Sequence, residues 1–158
     1  MGYFIMGWQR AAHKMHKKGM RILPKMIYFA QRVICGCSIP PSVEIGKGTK
    51  LAHNGLGVVI HDKTVIGEDT IIQANVVLGG RSGQIGPTVG NYCYIGAGAC
   101  VLGDIKIGDD AQIGANAVVL HDVAPGTVVA GVPAKYIKNV DGDMIGKIKR
   151  YEYVERRG

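Results

Sequence analysis

The sequence predicts an all-β solenoid of stacked six-residue repeats, preceded by a short helical segment. Three observations carry this. Thirteen aliphatic markers run through the chain: Ile39, Ile45, Leu51, Ile60, Ile66, Ile72, Leu78, Val89, Ile95, Val101, Ile107, Ile113 and Val119. Ten of their twelve intervals are six residues, a period that fits neither an amphipathic helix nor an alternating strand. The position four beyond a marker is small or β-branched, as at Val43, Thr49, Thr64, Thr70, Val76, Ala99, Ala111, Ala117 and Val123. Glycine is abundant, 24 of 158 residues, and follows the marker at 46, 67, 79, 90, 96, 108 and 114. Short strands joined by tight corners, three hexapeptides to a coil, satisfy all three.

Residues 1–37 read as a basic helical segment. Phe4, Trp8, Ala11 and Met15 form one apolar stripe of a helix over 3–18, and Gly19 suits its end. A second helix starts near Pro24 and runs to about Ile34, with Leu23, Ile27, Ala30 and Ile34 as its stripe. The solenoid follows over 38–134. Its two long intervals, nine residues from 51 to 60 and eleven from 78 to 89, mark loops leaving the coil, where function concentrates. Residues 135–158 show no repeat and read as a tail or a short helix.

The formal charge of +7 sits in the first quarter of the chain: residues 1–43 hold seven basic side chains and no acid, and the remainder is balanced. Two compatible readings follow. The preferred one is a helical cap closing the open end of the solenoid; the other is a peripheral membrane contact, with a basic helix face against anionic lipid. Nucleic acid is not an expected partner, because no recognition motif accompanies the charge. No apolar run reaches the ~18 residues of a spanning helix, and the opening MGYFIMGW lacks the features of a secretory signal. Cys35, Cys37, Cys93 and Cys100 lack zinc-knuckle or redox-pair spacing and read as reduced, packed thiols of a cytoplasmic protein.

From Ile39 to Lys135 the chain resembles the hexapeptide-repeat acyltransferases, and among them the serine acetyltransferase-like branch. The resemblance rests on LAHNGLGVVIH (51–61), TIIQANVVLGG (70–80), IGAGACVLGDIKIGDDAQIGANAVVLHDV (95–123) and AGVPAKYI (130–137). It implies a left-handed parallel β-helix and a homotrimer binding acetyl-CoA in grooves between subunits. It also implies roles. His53, in the nine-residue interval, matches the catalytic histidine, and imidazole is suited to taking a proton from an acceptor hydroxyl. The hydroxyl would then attack the acetyl carbonyl directly, without an acyl-enzyme. Gly79 and Gly80 would offer backbone N–H groups to the oxyanion. Gly96, Ala97, Gly98, Ala99 and Ala115 would form a flat bed for pantetheine, with Gly79 also beside the cofactor, and Lys135 and Arg81 would reach its phosphates. Ser38, Asn54 and His61 are the acceptor-side candidates, although His61 is read chiefly as a turn residue and His121 as a solvated one.

The chain departs from the branch in three places. Ser38 and Ala52 stand where an Asp is expected, and the loop RSGQIGPT (81–88) lacks the second active-site histidine. A carbonyl or Glu44 is left to orient His53. These departures point to a sugar or polysaccharide-precursor hydroxyl as acceptor, with L-serine as the alternative and a non-catalytic solenoid as a third reading. A zinc hydratase on the same fold would need an HxxxxH element; it is absent, so no metal is expected.

Overall fold

The computed structural model describes residues 3–83 and 85–140. Two helices, α1 (Tyr3–Lys17) and α2 (Ile22–Ile34), precede a parallel β-solenoid of about four turns. Each coil contributes one short strand to each of three sheets. The first sheet stacks β1 (Glu44–Ile45), β4 (Val65–Ile66), β7 (Thr88–Val89) and β10 (Lys106–Ile107). The second stacks β2 (Lys50–Leu51), β5 (Ile71–Ile72), β8 (Tyr94–Ile95), β11 (Gln112–Ile113) and β13 (Thr127–Ala130). The third stacks β3 (Val59–Ile60), β6 (Val77–Gly79), β9 (Cys100–Leu102) and β12 (Val118–Val119). Registers such as Leu51↔Ile72↔Ile95↔Ile113↔Val129 set one marker upon another along the axis, and these side chains are buried.

The small positions turn inward at the corners. Ala99, Ala111, Ala117 and Cys93 are fully buried, and Thr49 and Thr70 donate their hydroxyls to the carbonyls of Gly67 and Gly90. Burial pushes the Cys37 and Cys93 thiols up to about 11, so both stay protonated near neutral pH and are poor nucleophiles. The corners use the left-handed backbone region. Gly57, Asn75, Gly98 and Asn116 occupy it in register at one edge, with φ of 68, 60, 71 and 56°. Glycine is required at 57 and 98, because a Cβ there would collide with the Asn75 and Asn116 side chains of the next coil.

Residues 135–158, read from sequence as a tail or short helix, begin instead with a strand. β14 (Lys135–Asn139) turns back antiparallel on β13 and closes the edge of the second sheet. The backbone hydrogen bonds left open along β13 explain this, since alternation of side chains plays no part there; all five β14 residues are exposed. The remainder of that segment lies outside the described residues.

Helix α1 covers the first coil, with Ile5 and Met6 entering the same core as Ile39, Val43 and Leu51. Its buried face is Ile5, Gln9 and Ala12, one residue round from the expected stripe; Phe4 is exposed and packs on Trp8 at 4.6 Å between ring centroids. Gln9 donates to the Pro40 carbonyl (3.0 Å), His13 to that of Pro41 (2.8 Å), and Lys17 meets Glu44 (3.0 Å). A polar residue thus sits on the inner face because the first coil offers it a carbonyl.

Helix α2 also differs from its expected stripe. Its buried residues are Pro24 and Gln31, while Leu23 and Ile34 are exposed. Both amide atoms of Gln31 are buried without a hydrogen-bond partner. Removing such an orphan in a side chain of similar shape recovers its desolvation penalty, so Gln31→Met is expected to raise stability by roughly 1–2 kcal/mol, read as a higher denaturant midpoint.

Candidate active site

The nine-residue interval forms a bulge at the edge where the second sheet passes into the third. It holds a short 3₁₀ turn, Ala52–Gly55, in which His53 (φ 52°, ψ 36°) and Asn54 (φ 55°, ψ 30°) both adopt left-handed backbone. Two consecutive non-glycine residues in that region store strain, which packing must hold in place. The clamp consists of three backbone bonds: Leu56 N–H to His53 O (3.2 Å), Gly57 N–H to Gly36 O (3.0 Å) and Asn75 N–H to Leu56 O (2.8 Å). The bulge lifts the His53 side chain into solvent while Gly55 stays buried beneath it. Asn54 Oδ1 is buried with no hydrogen-bond partner.

Later coils turn the same edge with small residues. Backbone bonds from Gly98 to Ala74 (3.0 Å) and from Asn116 to Ala97 (2.9 Å) align 73–76, 96–99 and 114–117 beneath the bulge. A shallow groove of about 240 Å³ runs here, lined by Gly96, Ala97, Gly114 and Ala115 and flanked by Gln73, Tyr94 and Gln112. Its floor cannot rise, because a Cβ on Gly96 would strike the Ala115 backbone. At the far end Lys135 pairs with Ala130, whose Cβ lies over Gly114. His53 and Lys135 therefore mark opposite ends of one edge, five strand spacings apart along the second sheet, or ~24 Å at about 4.8 Å per spacing.

Two cradle residues behave otherwise. Ala99 is fully buried and belongs to the core, since the position four beyond a marker faces the axis. Gly98 supplies the corner rather than the groove lining.

The remaining candidates gather at the next edge, where the third sheet passes into the first. His61 lies there, its Nδ1 accepting from the Lys63 N–H (3.2 Å) and standing 3.1 Å from Asp62 Oδ1, and buried Gly86 packs against its Cβ and Thr64. Gly79 ends β6, and Gly80 and Arg81 follow it, exposed, at the start of the eleven-residue interval. A single chain consequently separates His53 from Gly79, Gly80 and Arg81 by the width of a sheet. Ser38 stands between the two edges, bridged to Val59, with its hydroxyl 2.8 Å from that of Tyr28 on α2. Glu44 does not orient His53. It pairs with Lys17, whose ammonium holds the exposed carboxyl below the usual range. Sequence reasoning missed Tyr28, Tyr94 and the two glutamines of the groove; only registration of one coil on the next reveals them.

A family profile described as "Bacterial transferase hexapeptide (six repeats)" matches residues 86–121. The chain is 44% identical over 131 residues to serine acetyltransferase of Helicobacter pylori strain J99, covering 81% of this chain and 76% of the relative. It superposes on the crystal structure of Neisseria gonorrhoeae serine acetyltransferase with a TM-score of 0.84 at 32% identity, covering 93% of this chain and 58% of that one. The serine complex of the latter protein gives 0.81 at 34%, covering 86% and 56%. The chain thus spans just over half the length of these solved enzymes. A solenoid of registered hexapeptides, a histidine bulge at the head of a small-residue groove, and these likenesses together place the chain in the hexapeptide-repeat acyltransferases, left-handed β-helices, within their serine acetyltransferase branch.

Proposed function

We propose that the protein moves an acetyl group from acetyl-CoA directly to an acceptor hydroxyl. The observation that carries this is the shared edge: the bulged imidazole, the flat groove and Lys135 lie in line, as an extended thioester arm requires. Gly96, Ala97 and Ala115 hold the arm by close contact, and Lys135 answers the phosphates at the far end. His53 takes the acceptor proton as the new C–O bond forms, then returns it to the departing thiolate. Backbone N–H groups near Gly79 and Gly80 face the developing oxyanion. Those glycines and Arg81 belong to the other edge, so we assign them to a neighbouring subunit of a homotrimer, with the site at the interface.

L-serine is the acceptor best supported, through the names of the relatives and the serine complex of the N. gonorrhoeae enzyme. It displaces the sugar hydroxyl expected first from sequence. A second reading keeps that sugar, because Ser38 and Ala52 leave no carboxylate at positions where the resemblance implies one for the amino group. Release of free CoA on adding L-serine, N-acetylserine or simple sugars separates the readings. Turnover with serine and none with the sugars is the expected result; the reverse pattern moves the acceptor to a glycan, and no release with any hydroxyl compound overturns the enzymatic proposal.

A further inference from the structure

Helix α2 is apolar on the side that faces away from the protein. Pro24 and Gln31 point inward, and the opposite face carries Ile22, Met26, Phe29 and Val33 at spacings of four, three and four, each 62–77% exposed. At 3.6 residues per turn, Leu23 and Ile34 widen this face on one flank, while Arg21, Lys25 and Arg32 line the other. A shallow depression of about 400 Å³ lies over Ile22, Met26, Phe29 and Ala30, with Lys25 at its margin. A helix packed on a soluble core buries its apolar stripe and exposes its polar one; here the order is reversed.

We propose that this face docks on an anionic lipid bilayer, with α2 lying in the plane of the interface. Charge decides the occupant. The first 43 residues contain seven basic side chains and no acid, so the same segment of a second copy offers no carboxylate to Arg21, Lys25 and Arg32, and this flank calls for an anionic surface. A bilayer supplies both complements at the depth the helix needs, acyl chains for Phe29 and Met26 and phosphates for the basic flank. None of the helices among the described residues is long and apolar enough to cross a membrane, so the contact is peripheral. The proposal does not depend on the acetyl-transfer reading.

The test is flotation of the full-length chain with vesicles of phosphatidylcholine, alone or mixed equally with phosphatidylglycerol. The anionic vesicles are expected to bind at least roughly tenfold more tightly, and less so as salt rises. Lys25→Gln with Arg32→Gln should weaken binding by about 20–30-fold, at roughly fivefold per basic residue. Phe29→Glu should abolish it; Met26→Glu is the substitute should that variant lose its helical circular dichroism. Absence of wild-type binding to the anionic vesicles overturns the proposal, as does binding that Phe29→Glu and Met26→Glu leave intact. A wild type that ignores vesicles and whose sedimenting mass falls in Phe29→Glu identifies a second copy as the occupant.

Discussion

Replacing His53 with alanine is expected to lower acceptor-dependent turnover by about 10²–10⁴-fold while the affinity for acetyl-CoA stays within about threefold of the wild type. The split between the two follows from geometry. The groove of Gly96, Ala97 and Ala115 lies two and three coils beyond the bulge and is built from backbone and methyl groups that the substitution does not touch. Alanine removes the imidazole and keeps a Cβ, so the left-handed backbone at 53 is no easier to hold than before. Rapid-quench or thiol-release assays give the turnover, and calorimetry with CoA gives the affinity. Near-normal turnover would remove His53 from the reaction; a parallel collapse of CoA affinity would mean that the bulge had unfolded.

Deletion of residues 1–35 is expected to leave a chain that aggregates on expression or melts at least about 10 °C lower. Helix α1 contributes Ile5 and Met6 to a core shared with Ile39, Val43 and Leu51, and each buried aliphatic side chain is worth roughly 1.5–3 kcal/mol. Without it the first coil presents an open apolar end and a Pro41 carbonyl that has lost its His13 donor. The deletion also removes the exposed apolar face of α2, which alone would favour solubility, so loss of solubility points to the uncapped end. Size-exclusion chromatography and thermal unfolding read the result; a monodisperse truncated chain with an unchanged melting temperature would show that α1 is not needed as a cap.

The solenoid was legible because its geometry constrains every sixth side chain. An inward marker such as Ile72 stands between Leu51 and Ile95, and any polar residue there would lose its water. The two loops were legible as breaks in that spacing. The helical faces were not. On α1 an uninterrupted apolar stripe of Phe4, Trp8, Ala11 and Met15 competes with one containing Gln9, and nothing local shows that the Pro40 carbonyl will accept from its amide nitrogen. On α2 an exposed Ile22, Met26, Phe29 and Val33 face looks in sequence like a buried one, since periodicity reports a stripe without saying what lies against it. Ala99 fits two patterns at once, the inward position and the GAGA bed, and only the coil's phase shows that the first prevails. Separation of Gly79 from His53 was likewise hidden, because it depends on which corner follows which strand.

The registered corners of the His53 edge have a consequence for how such a protein can change. Each whole coil is a graduation of ~4.8 Å on a rigid yardstick, and adding or removing one moves the proton acceptor relative to the cationic end without altering the chemistry of either. Donor length in this scaffold is therefore set by counting turns, a quantity that duplication of eighteen residues can revise in one step while single substitutions cannot.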